Sequence, residues 1–243
     1  MTHSSHARPT RVDRWFSALL DLLYPPHCVA CERLGSWLCA QCIETIPLLK
    51  PPICQRCGRP TAQAGLCDVC RSNPSRLSGI RSVSAHAPPL LEAVHALKYE
   101  GLRALADPLG EVLAGHWRRA PLPVDVIVPV PLHERRQRQR GYNQSLLLAR
   151  ALAQRVGIAL QERSLTRERN TRSQVGLSPD ERWSNVWGAF RCRGDDLRGS
   201  RVLLFDDVMT TGATLEACAS PLLEAGAKEV WGLTLTRATP PRR

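Results

Sequence analysis

The sequence predicts an α/β protein in which a parallel-sheet domain follows a small cysteine-rich, metal-binding module. Three observations predict it. Eight of the ten cysteines fall into four Cys-x-x-Cys pairs between positions 28 and 70. From about Arg81 onward, short apolar runs alternate with stretches of helical apolar spacing. One of those runs, Val202–Phe205, ends in two adjacent carboxylates and a turn rich in threonine and glycine.

The chain has 243 residues, enough for one or two domains, and its 43% hydrophobic content is that of a globular protein. Net charge is +11, and only Lys50, Lys98 and Lys228 among the cations are lysines. No apolar run of about 18 residues exists, so no membrane span is predicted. Within residues 1–23, Trp15, Phe16, Leu19, Leu20, Leu22 and Leu23 recur at helical spacing, while Asp13 and Asp21 interrupt the segment and no small-residue cleavage site follows. This reads as an amphipathic helix rather than a signal peptide. It predicts a cytoplasmic protein, a compartment where disulfides are rare and Cys-x-x-Cys pairs hold metal.

Residues 24–75 form the metal module. Cys28/Cys31, Cys39/Cys42, Cys54/Cys57 and Cys67/Cys70 are separated by 7, 11 and 9 residues. Two residues between sulfurs let both thiolates of a knuckle face one ion, and two knuckles complete the tetrahedral shell that Zn²⁺ prefers. Sequential pairing is the simplest; first with third is the alternative. Gly58 suits the turn after Cys57. An iron–sulfur cluster is the other occupant such a shell accepts. With few large apolar residues here, metal supplies the folding energy, and two structural zinc ions are expected. His27 is a weaker candidate ligand, and Cys192 and Cys218 read as small buried hydrophobes.

Residues 80–237 form the sheet domain. Strands are predicted at Ser82–His86, Val124–Val128, Arg201–Phe205 and Glu229–Thr236. Helices are predicted at Leu90–Tyr99, Leu102–Trp117, Tyr142–Val156 and Thr214–Ala225, the last capped by Gly226. Apolar strands alternating with helices imply a parallel sheet covered on both faces, with ligands at the carboxyl ends of its strands. The segment Val202–Thr214 sits at such an end. Asp206 and Asp207 close the strand; Thr210, Thr211, Gly212, Ala213 and Thr214 then open a helix. Backbone N–H groups, hydroxyls and a helix dipole suit a phosphate, and the carboxylates behind them suit the hydroxyls of an attached sugar. A ribose 5-phosphate satisfies both.

The Val202–Thr214 segment resembles the phosphoribosyl-diphosphate signature of type I phosphoribosyltransferases. From about Tyr24 to Arg237 the chain is similar to the ComF family, through Val128–Leu132, the Arg140-Gly-Tyr-Asn-Gln144 motif, the stretch from Thr171 to Phe190 with Gln174, Arg182 and Asn185, and the Cys-x-x-Cys ribbon. The resemblance implies a type I phosphoribosyltransferase-like (Rossmann-like) domain behind a double zinc ribbon. It implies that Asp206 and Asp207 hold the ribose 2′ and 3′ hydroxyls and that residues 210–214 wrap the 5-phosphate. Val130 and Pro131 would bind pyrophosphate through backbone groups. Arg135, Arg136, Arg138 and Arg140 would lie in an adjacent mobile loop that neutralises it, with Mg²⁺ bridging pyrophosphate and sugar. Phosphoribosyl transfer to an acceptor, in the setting of DNA uptake during natural transformation, is the implied activity.

A second reading stands beside it. Four arginines among glutamines, followed by Tyr142, also suit a single-stranded nucleic-acid backbone. A non-catalytic DNA-binding or scaffold factor, partnered with competence DNA-uptake proteins, is therefore the alternative. A plain basic surface is the blandest. Lys98 reads as a phosphate contact or a solvated helix end. His86, His95 and His133 read as packing or surface residues, and Trp183 with Trp187 as a core stripe, with a stacking platform for a base as the alternative.

Overall fold

A computed structural model describes residues 25–172, 176–194 and 196–238. The expected N-terminal helix and Gln174 lie outside the described residues. Two short helices, α1 (Ala40–Glu44) and α2 (Asp68–Ser72), belong to the cysteine module. They are followed by β1 (Gly79–Ala85), α3 (Leu90–Tyr99), a 3₁₀ turn at Arg103–Leu105, α4 (Ala106–Arg119), β2 (Val126–Pro129), α5 (Glu134–Arg140) and α6 (Gln144–Val156). Then come β3 (Ala159–Leu160), β4 (Leu165–Arg167), α7 (Pro179–Val186), β5 (Phe190–Cys192), β6 (Arg201–Met209), α8 (Ala213–Glu224) and β7 (Glu229–Arg237).

Five strands form one parallel sheet in the order β1-β7-β6-β2-β3. Alternation along the strands divides the core. Ile127, Leu203, Phe205, Leu233 and Leu235 pack with α3, α4 and α6 on one face, together with Leu38 and Ile46 of the cysteine module. Val126, Val128, Val202, Leu204 and Val230 pack with α8 and with Phe190 and Val186 on the other. Strands β4 and β5 form a separate antiparallel ribbon carrying the α7 segment.

The cysteine module is fastened along the β1 edge. Leu48 bridges Ser84 in antiparallel register, Leu49 donates to the Val83 carbonyl (3.0 Å) and Ala85 donates to the Pro47 carbonyl (3.2 Å). Gly58, at φ 69°, lies so close to the strand that a Cβ there would sit 2.5 Å from the Ile80 carbonyl oxygen, so both its conformation and its contact require glycine.

The structure corrects three expectations. The arginine segment is not a loop: Glu134–Arg140 is helical, begun by His133, whose Nδ1 accepts from the Arg135 N–H, and ended by Gly141 in the left-handed region. Strand β6 continues through both aspartates to Met209, in register with β7. Trp183 and Trp187 are not a core stripe; they are 38% and 54% exposed. Among the described residues no helix is long and apolar enough to cross a membrane.

Candidate phosphoribosyl site and metal clusters

The four Sγ atoms of Cys28, Cys31, Cys39 and Cys42 lie within 4.8 Å of one another, as do those of Cys54, Cys57, Cys67 and Cys70. The pairing of knuckles is sequential. The Sγ separations of Cys28–Cys42, Cys31–Cys39 and Cys57–Cys67 are 3.7, 3.6 and 3.8 Å. A tetrahedron with Zn–S bonds of about 2.3 Å has edges of about 3.8 Å, so both shells fit zinc. Backbone N–H groups of Cys39 and Cys67 point at the Cys28 and Cys54 sulfurs (3.4 and 3.3 Å). Burial alone raises these two thiols, but the backbone donors outweigh it and bring each down to about 6. His27 is absent from both clusters.

At the carboxyl ends of β6 and β2 a cleft of about 540 Å³ collects most of the predicted ligand residues: Asp206, Asp207, Thr210, Thr214, Val130, Pro131, Arg136 and Arg140. Gly212, at φ 89°, turns the chain from β6 into α8, and Thr211 Oγ1 accepts from the Ala213 N–H (3.3 Å). Residues 211–213 shape this turn from beneath, while Thr210 and Thr214 reach the cleft. The α5 helix divides the arginines. Arg136 and Arg140, one turn apart, face the cleft; Arg135 and Arg138 do not line it and are exposed. Arg136 donates to the Thr171 carbonyl (2.9 Å), and Arg140 lies 5.5 Å over the Tyr99 ring.

The two aspartates live in different surroundings. Asp207 is 3% exposed, and its Oδ2 lies 2.6 Å from Lys98 Nζ on α3. Burial alone would raise the Asp207 carboxyl; the Lys98 ammonium and a hydrogen bond to Gln144 reverse that and hold it below its ordinary value. Lys98 is thus neither a solvated helix end nor a free phosphate contact. Asp206 accepts from Ser145 Oγ (2.8 Å) and from the Asp207 N–H (3.0 Å). Its carboxyl is pushed up to about 7, by burial first and by the neighbouring Asp207 charge second.

That shift has a sign. The native state keeps a proton on Asp206 that the unfolded chain releases above about 4, so stability falls as pH rises from about 4 to 7. Asp206→Asn is expected to flatten that slope and to stabilise the ligand-free protein above pH 7, on the order of 2 kcal/mol given partial exposure. Urea unfolding at pH 5 and pH 8 measures it, with the larger gain at pH 8.

Three cleft residues were given no ligand role in the sequence reading. Arg167, at the end of β4, donates to Thr171 Oγ1, stacks 5.3 Å from the Phe190 ring centre and lies within electrostatic reach of Asp206. Arg182 of α7 lines the same cleft. His86, after β1, holds Thr236 Oγ1 at 2.9 Å through Nδ1, and burial keeps its imidazole below its usual range. The arginine-rich Thr166–Arg172 stretch was the signal for Arg167; for Lys98, read as a phosphate contact or a solvated helix end, nothing signalled Asp207, because that partner lies on a distant strand.

Comparison with known proteins fits both halves. A double zinc ribbon family model matches residues 19–71, and a phosphoribosyl transferase domain model matches residues 143–238. The DNA utilization protein YhgH of Salmonella typhi is 36% identical over 228 residues, covering 88% of this chain and 99% of that one. Competence protein F of Haemophilus influenzae is 30% identical over 81% of this chain and 89% of its own. The chain belongs to the ComF family. Competence protein ComFC of Bacillus subtilis is a further relative, 27% identical over 83% of this chain and 84% of its own. ComF membership accounts for the joining of a double zinc ribbon to a phosphoribosyltransferase fold in one chain.

Proposed function

We propose that this ComF-family protein binds phosphoribosyl diphosphate with Mg²⁺ in the cleft and transfers the phosphoribosyl group to an acceptor. The observation that carries this is the convergence of the acid pair, the threonine turn and the cleft arginines at one end of the sheet. Asp206 takes the ribose hydroxyls. Asp207, already paired with Lys98, holds the geometry beside it. Thr210 and Thr214, with the backbone of residues 211–213, take the 5-phosphate. Arg136 and Arg140 neutralise the pyrophosphate. Val130, whose N–H donates to the Phe205 carbonyl (2.9 Å) and whose carbonyl accepts from Asn143 (3.0 Å), and Pro131, which has no N–H, form the wall beneath it rather than donating to it. Both carboxylates already have protein partners, so a Mg²⁺ ion arriving with the substrate would be held chiefly by the substrate and would supply charge neutralisation for the leaving group. The bond from the anomeric carbon to pyrophosphate breaks, a bond to the acceptor forms, and the acceptor gives up a proton. Positive charge on the sugar ring is favoured by the acid pair and negative charge on the leaving group by the arginines. We place this activity in the cytoplasm, in the handling of DNA that the name of the YhgH relative describes.

Calorimetric titration with phosphoribosyl diphosphate and Mg²⁺ tests the reading. Saturable binding is expected, weakened at least tenfold by Asp206→Asn and tightening between pH 6 and pH 8 as Asp206 ionises. Absence of binding by folded, metal-loaded protein overturns it. A second reading, single-stranded DNA binding, is favoured by the exposed Tyr99 (62%) beside Arg140 and by exposed Trp187. DNA affinity unchanged by Asp206→Asn but lost in Trp187→Ala, a residue that does not line the cleft, would separate that surface from the sugar site.

A further inference from the structure

Arg237, the last residue of β7, is 5% exposed, yet its guanidinium meets no carboxylate among the described residues. Its Nη1 donates to the Cys57 carbonyl at 2.6 Å and touches Met209 Sδ at 3.5 Å. Cys57 and Cys67 are the anionic groups within its electrostatic reach. A buried cation without a counter-charge is costly, so something must offset it. The second cysteine cluster does so when it holds a divalent ion: four thiolates and one Zn²⁺ leave a net charge of about −2. Arg81 supplies a second cation on the same side. It donates to the Gln55 carbonyl (2.9 Å), lies 5.4 Å from the Trp231 ring centre and is in reach of Cys54 and Cys57.

The same arginine touches the floor of the phosphate turn. Arg237 stands in register opposite Met209, the residue before Thr210, and the Ala238 N–H donates to the Met209 carbonyl (2.8 Å). From the cluster side, the Arg56 carbonyl accepts from the Ile80 N–H (2.6 Å), and the Ile80 side chain underlies Gly212. Two routes, Cys57–Arg237–Met209 and Arg56–Ile80–Gly212, thus join the second cluster to both ends of the turn.

We propose that the metal–thiolate cluster of Cys54, Cys57, Cys67 and Cys70 is the counter-ion of Arg237, and that this pair fixes the residue 209–214 turn, so that metal in the second ribbon sets anion affinity in the cleft. Arg237 is a positioning residue. The counter-ion half stands independently; the affinity half rests on the sugar-phosphate reading.

The test compares full-length wild type, Arg237→Met and Arg237→Lys by zinc release to a colorimetric chelator, by amide hydrogen exchange and by titration with phosphoribosyl diphosphate and Mg²⁺. In Arg237→Met one of the two ions is expected to leave at least tenfold faster while the other is unchanged. Amides of residues 209–214 exchange faster, and anion affinity falls about tenfold. Arg237→Lys, which keeps the charge, restores most of the zinc retention. Wild-type release of both ions from Arg237→Met overturns the counter-ion role. Faster zinc release with unchanged exchange at 209–214 overturns the coupling. Should wild type bind no phosphoribosyl diphosphate while zinc release and exchange shift as stated, the sugar-phosphate reading fails and the coupling stands.

Discussion

Lys98→Met is expected to destabilise the protein by about 3–5 kcal/mol, because it strands the Asp207 carboxylate in the interior. The pair is 2.6 Å apart, with side chains 18% and 4% exposed, so water cannot take over for the lost ammonium. Urea unfolding at pH 7 is the measurement. Pairing the change with Asp207→Asn is expected to recover most of the loss, since no buried charge then remains. A Lys98→Met protein as stable as wild type would sink the assignment. The pair also sets the charge of the cleft. With Asp207 neutralised by Lys98 and Asp206 pushed up to about 7, Arg136, Arg140, Arg167 and Arg182 leave the cleft net positive, which suits a polyanionic ligand.

Removal of metal is expected to have the largest effect. Within residues 25–72 the buried apolar side chains other than cysteine are Leu38 and Ile46, far too small a core to fold on. Structural zinc contributes about 10–16 kcal/mol in small zinc-bound peptides. Purified protein is expected to carry about two zinc ions per chain by elemental analysis. Chelation should abolish amide protection throughout residues 25–72 and weaken it in β1, while β6 and β2 at the centre of the sheet keep theirs. Protein that is folded in this segment yet free of metal would overturn the ribbon assignment, and bound iron would replace zinc in it.

The legible parts of the fold were those with apolar periodicity. Leu90–Tyr99 was placed to the residue, and β1, β2 and β7 to within a few. Helix α5 was missed because Glu-Arg-Arg-Gln-Arg-Gln-Arg has no apolar face to betray it; good helix formers and two caps make it helical without one. The β4–β5 ribbon was missed because three-residue strands carry too little pattern to register. In the site, residues brought together by chain adjacency were visible: both aspartates and the turn after them. Those brought together by packing were reached only through the family resemblance, as with Val130, Pro131, Arg136 and Arg140, or not at all, as with Arg167. Lys98 reaches Asp207 from a helix on another part of the chain, and Arg167 enters from the ribbon. For Lys98 the resemblance offered a phosphate contact and gave no hint of Asp207. It also set all four arginines in one loop, whereas helical phase sends only Arg136 and Arg140 into the cleft.

The fastening of Pro47–Leu49 along β1 bears on how the chain is made. In the finished sheet β1 has one strand neighbour, β7, and β7 is the last of the described strands to be synthesised. Until β7 has been made, one whole row of β1 donors and acceptors has no partner, and such a row invites pairing with other nascent chains. The cysteine module leaves the ribosome before β1 does. Once loaded with metal it already covers the opposite row, through the Leu49–Val83 and Ala85–Pro47 bonds. Metal shortage during synthesis therefore strips both rows at once, and insoluble protein, ahead of any loss of ligand binding, is the first symptom to expect in zinc-starved cells.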